Sequence, residues 1–160
     1  MFKRRYLGVE IEKAIKQLKP FDSIYEKAGV NLMFTNNLVI SELQGFFKGF
    51  DLTMKQYNIL RILKGAGKPV SISFIKERLL DKNSDVSRVV DRMETKSIVK
   101  KTSCETDKRL VDVELSVKGE KLLKLISAEM NIMNSIFEGL TENEVKTLNS
   151  LLDKIRENKI

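Results

Sequence analysis

Histidine is absent from this 160-residue chain, and cysteine occurs once, at Cys104. Without histidine there is no imidazole general base, and a lone thiol cannot build a zinc site of nitrogen and sulfur ligands. One cysteine also forms no internal disulfide. No apolar run approaches the ~18 to 20 residues that span a bilayer. The opening stretch MFKRRYLGVEIEK has Glu10 and Glu12 where a secretory signal needs unbroken apolar residues. The expectation is a globular cytoplasmic protein without a membrane segment. A Gly-rich phosphate loop, a metal-ligand cluster and a nucleophile-and-base spacing are missing too, so neither enzymatic activity nor a cofactor is expected.

What is present is positive charge. The chain carries a net +7, and 42% of its residues are hydrophobic, enough for a core in one domain or a small elaborated one. Residues 52–121 hold 16 Lys or Arg against 10 Asp or Glu, a net of +6, while the remainder is close to neutral. A basic middle between nearly neutral ends points to a polyanionic partner met by that middle.

Helical spacing dominates the chain. Leu7, Ile11, Ala14, Ile15 and Leu18 suggest a short amphipathic helix ended by Pro20, forming an N-terminal arm. After Gly29, a stripe of Leu32, Val39, Leu43, Phe46 and Phe50 runs beside a second one of Met33, Ile40 and Phe47. So wide an apolar surface implies burial on more than one side. Thr53 and Gln56 form a capping box for a helix through Tyr57, Ile59, Leu60 and Leu63, stopped by Gly65, Gly67 and Pro69. Ser71 caps a helix carrying Ile72, Ile75 and Leu79. In the stretch NSDVSRVVDRMETK, Val86, Val89, Val90 and Met93 give the next helix its core face, with Asn83 or Ser84 as the start signal. Two short helices joined by the turn DKN form a helix-turn-helix pattern. Val111, Val113 and Leu115 then alternate with polar residues, the period of a half-buried strand that pairs back across the loop CETDKR. Helix, helix and basic-tipped hairpin is the order of a winged helix. Leu123, Ile126, Met130, Met133 and Phe137 suggest a further helix ended by Gly139. Leu140, Thr141, Glu144 and Val145 suggest a staple and capping box before a last helix with Leu148, Leu151, Leu152 and Ile155.

These residues resemble the MarR family of bacterial transcription regulators from about Val30 to the C-terminus. The carriers are LTMKQYNILRIL, SDVSRVVDRMETKSIVKK, DKRLVDVELS and VKGEKLL. The resemblance implies a mainly α protein: a winged helix-turn-helix domain at 51–116, framed by dimerisation helices at 1–50 and 117–160, and working as a homodimer. It also implies that Asp107 supports Arg109 as that arginine reaches a minor groove. Ser97 stands where the family usually has Gly, so a strained turn is expected there. The family's redox cysteine lies near the N-terminus, which Cys104 does not match. Glu105 and Asp107 are expected to act on it in one direction and Lys101 and Lys108 in the other, so no clear activation follows and it is read as a bystander.

The expected partner is double-stranded DNA. Ser84 and Ser87 can donate to phosphate or base edges, and Arg88 is long enough for a bidentate pair with a guanine. Asp85 either contacts a base or caps the helix. Arg92 either touches the backbone or pairs internally with Asp91 or Asp107, the internal pair being favoured. Lys101 and Lys108 are expected near phosphate, and Arg109 in a narrow A·T-rich minor groove. Phe46, Phe47 and Phe50 cluster where a pocket for a small aromatic ligand would lie, though core packing is the favoured account. The function expected is a sequence-specific transcriptional regulator, a repressor released by a small-molecule effector. The alternative is a winged-helix protein-interaction module.

Overall fold

A computed structural model describes residues 9–81, 85–103 and 111–157. The chain divides into two compact units, residues 1–128 and 129–160.

The first unit opens with α1 (Ile11–Ala14), much shorter than a helix running to Pro20. Lys16 takes a left-handed φ of 55°. Its N–H donates to the Lys13 carbonyl, and the Gln17 N–H to that of Glu12. This Schellman turn satisfies the last carbonyls and leaves Leu18 99% exposed. Ile11 is buried, and Glu12 pairs with Lys27 at 2.7 Å, tying the arm to the next helix. That helix, α2 (Ile24–Lys48), starts before Gly29 because the Ser23 side chain caps it, accepting from the Glu26 N–H at 3.0 Å. Leu43 and Phe47 are buried near its end, whereas Ile24, Tyr25, Leu32 and Met33 nearer its start are exposed.

α3 (Met54–Ala66) carries the expected capping box between Thr53 and Gln56, and Gly67 ends it at a φ of 63°. Gly65 lies within the helix and does not stop it. Ser71 caps α4 (Ile72–Arg78), accepting from the Phe74 N–H at 3.2 Å. Val70 and Ser71 also form β1, a strand that the sequence pattern did not signal. After α5 (Val86–Thr95), β2 (Val99–Ser103) and β3 (Val111–Leu115) form the hairpin strands. The antiparallel sheet has the order β1-β3-β2, with Val113 opposite both Val70 and Lys101. Ile59, Leu60, Ile75, Val90, Met93, Ile98 and Val113 are each at most 2% exposed. At ~1.5 to 3 kcal/mol per fully buried large apolar side chain, they hold helices and sheet together.

α6 (Val117–Glu129) docks by close approach: a Cβ on Gly119 would lie 2.1 Å from the Ile98 carbonyl oxygen. Ser116 fixes this junction. Its hydroxyl donates to the Ser97 carbonyl at 2.7 Å and accepts from the Gly119 N–H at 3.0 Å.

In the second unit the helix expected to run on to Gly139 is interrupted. The Asn131 N–H turns back to the Glu129 carbonyl at 2.7 Å, and α7 (Ile132–Ile136) starts afresh. α8 (Glu142–Glu157) has the expected capping interaction: the Thr141 N–H donates to Glu144 at 2.7 Å, and the Glu144 N–H returns to the Thr141 hydroxyl at 3.4 Å. No residue of α8 is buried; Leu151 and Ile155 are 54% and 55% exposed. Among the described residues, no helix is long and apolar enough to cross a membrane.

Candidate nucleic-acid interface

α5 has two faces because its apolar residues recur at helical spacing. Val86, Val90 and Met93 are buried, whereas Ser87, Arg88, Asp91, Arg92 and Thr95 are exposed and share the opposite side. The cap is Asp85: its Oδ1 accepts from the Arg88 N–H at 3.2 Å. Its Oδ2 lies 2.9 Å from Arg88 Nε. Of the two roles open to Asp85, the helix cap is therefore filled, and the same carboxylate orients the guanidinium. Asn83 and Ser84, the start signals read from the sequence, lie outside the described residues.

Arg92 makes no ion pair among the described residues. Asp91, offered as its partner, is taken instead by Lys101, at 2.8 Å, and Glu94 lies 2.9 Å from the same ammonium. Lys101 was expected near phosphate and turns instead toward α5, because two carboxylates one helical turn apart converge on it. The hydrogen bonds to Asp91 and then to Glu94 hold its pKa above the usual lysine value. A second lysine anchors the end of α5: Lys96 pairs with Asp51, between α2 and α3, at 2.9 Å. Sequence reasoning missed both contacts. The spacing of Asp91 and Glu94 was the only local signal for the first.

Between α5 and β2, Ser97 has a φ of 58°, the left-handed turn expected to be strained for a residue with a side chain. Asp107, Lys108 and Arg109, together with Cys104, lie outside the described residues.

The phenylalanine cluster is packing more than pocket. Phe47 is 2% exposed and stacks on Tyr57 with ring centroids 4.4 Å apart. Phe46 meets Phe47 and Phe50 edge-on, with centroids 5.2 Å apart in each pair. Only Phe50 of the three lines a described cavity, one of 410 Å³ shared with Lys118, Lys121 and Leu122. The larger cavity, of 830 Å³, lies between α2, the start of α3 and the end of α4. Val39, Ile40, Leu43 and Leu79 form its apolar walls, and Lys48, Lys55 and Asp81 its charged ones.

Residues 52–111 match the model of the MarR family. A sequence comparison with curated proteins yields no match. Solved structures similar to this chain include AbsC of Streptomyces coelicolor, a MarR family transcriptional regulator. It has a TM-score of 0.75 and 23% identity over 88% of this chain and 97% of that one. A mutant MarR from E. coli complexed with operator DNA has a TM-score of 0.70 and 25% identity, over 79% of this chain and 91% of its own. BpsR of Bordetella bronchiseptica, whose DNA binding is regulated by 6-hydroxynicotinic acid, has a TM-score of 0.73 and 23% identity, over 82% and 99%. The matched segment takes in the capped α3, the α4–α5 pair and the wing strand β2, so residues 52–111 form a MarR-family winged helix-turn-helix domain.

Proposed function

We propose that the protein is a homodimeric, sequence-specific DNA-binding transcription regulator, with α5 as the helix that enters the major groove. The observation that carries this reading is the exposed face of α5, where Ser87 lies open and Arg88 is pre-oriented by Asp85. A guanidinium held in one orientation loses less entropy on forming a bidentate pair with guanine. Ser84 joins the groove contacts, and Arg92 reaches the flanking backbone. Lys108 meets phosphate near the hairpin tip, while Arg109, supported by Asp107, enters the minor groove.

Dimerisation is supported by the faces that one copy leaves open, on α8 and on the first half of α2. Of the N-terminal arm's apolar residues, Ile11 is already buried within its own chain, so it adds nothing to that face. The regulator is a repressor released when a small molecule occupies the 830 Å³ groove, a volume within the ~300 to 1,000 Å³ of typical ligand sites. The ligand-regulated relative supports this part of the reading.

Affinity for duplex DNA measured over a range of salt tests the function. Log affinity should fall linearly with log salt, at about −0.9 per phosphate neutralised. Salt-insensitive binding, or none to any duplex, would favour a protein-interaction module instead.

A further inference from the structure

Lys101 lies on β2, the strand that leads into the hairpin tip, yet its ammonium belongs to α5. It is 2.8 Å from Asp91 and 2.9 Å from Glu94, and its side chain is only 28% exposed. Asp91 shares the outer face of α5 with Ser87 and Arg88. An unpaired carboxylate there would repel the phosphates that this face approaches, within a screening length of ~10 Å. Among the described residues no other cation pairs with these two carboxylates, Arg92 on the same helix included. Arg88 pairs with Asp85, Lys96 with Asp51, and Lys100 lies exposed opposite Glu114 across the sheet.

We propose that Lys101 is a positioning residue that locks the root of the wing to the recognition helix and offsets part of the charge of Asp91 and Glu94, without itself contacting DNA. The proposal rests on the DNA-binding reading above. The physical gain is registry. With β2 and α5 joined by this clamp, the recognition helix and the root of the wing move as one body. The spacing between the two grooves is then built in before DNA arrives.

The test is a cycle read with a duplex that the wild-type protein selects from a random-sequence pool. Lys101→Met should weaken binding by about tenfold, as expected for side chains coupled by direct contact. In an Asp91→Asn, Glu94→Gln background the same change should cost less than about twofold, because there is no longer a pair to break. Lys101→Arg should keep affinity near the wild-type level. An equal loss in both backgrounds, with the salt slope shallower by ~0.9 per protomer, identifies a phosphate ligand and overturns the proposal. A second arm needs no DNA. Amide hydrogen exchange in β2 should quicken in free Lys101→Met and return to normal in Lys101→Arg; unchanged exchange overturns the clamp. Failure of the wild-type protein to bind any duplex would overturn the regulator reading, and the exchange arm would still judge the clamp.

Discussion

Asp85 grips Arg88 twice: one carboxylate oxygen accepts the arginine's backbone N–H at 3.2 Å while the other lies 2.9 Å from its Nε. One residue thus begins the helix and aims one of its two arginines. Arg88→Ala should cost ~1 to 3 kcal/mol at one base position in each half-site and relax the preference there. Asp85→Ala should relax the same position and also cost ~1 kcal/mol of stability through the lost cap. Asp85→Asn keeps a capping oxygen and should restore most of that stability without restoring the preference. Selection from a random pool, paired with urea melts, reads both effects.

The left-handed backbone at Ser97 predicts a gain. Ser97→Gly should stabilise the fold by about 0.5 to 1 kcal/mol, since glycine relieves the strain by more than it loses through the greater freedom of the unfolded chain. Denaturant midpoints measure it. A loss would mean that the serine side chain contributes more than the backbone strain removes.

Gly119 predicts the opposite. A Cβ at 2.1 Å from the Ile98 carbonyl forces α6 away from the sheet, so Gly119→Ala should destabilise by ~1 to 3 kcal/mol. Gly65 in α3 has nothing within 4 Å of its would-be Cβ. Gly65→Ala should therefore stabilise, by up to ~1 kcal/mol, and serves as the control.

Helix α8 should be dimer surface. Replacing Leu148 and Leu152 together by Asp places like charges across a twofold axis, and sedimentation should then show monomers or misfolded chains with only weak, nonspecific DNA affinity. The wild-type dimer should select half-sites about 10 to 10.5 base pairs apart, and inserting roughly 5 between them should abolish tight binding. A stable wild-type monomer that binds one half-site at full affinity is the result this arrangement does not allow.

Acid should loosen the start of α8. The Glu144 carboxyl is held below its usual range by the Thr141 backbone N–H first and by the Thr141 hydroxyl second. A depressed carboxyl pKa contributes stability that is present above the unfolded value and is lost as pH falls through the folded one. The difference in melting temperature between wild type and Glu144→Gln should therefore be constant above about pH 5 and shrink as pH falls through the lowered folded-state pKa. A difference that persists undiminished in acid would show that the carboxylate's charge is irrelevant to the cap.

The features legible in the residues alone share one physical property: they act over three or four positions of chain. Thr53 with Gln56, Ser71 with Phe74 and Thr141 with Glu144 close rings whose size is set by helix geometry, so residue type and spacing suffice to foretell them. The apolar face of α5 was legible for the same reason, whereas the turn at Ser97 was expected only from the resemblance to a family that usually has Gly there. Contacts over longer stretches of chain were not. Lys96 meets Asp51 across 45 residues, and the two-residue strand β1 is too short to show any period. Phe47 stacks on Tyr57 because the end of α2 is folded onto α3, and no local rule separates such a core aromatic from one that lines a pocket. The same limit hid Lys101. Its charge and its place beside the wing suggested phosphate, but packing brought two carboxylates of α5 within reach, and ion pairs form with whatever the fold brings near.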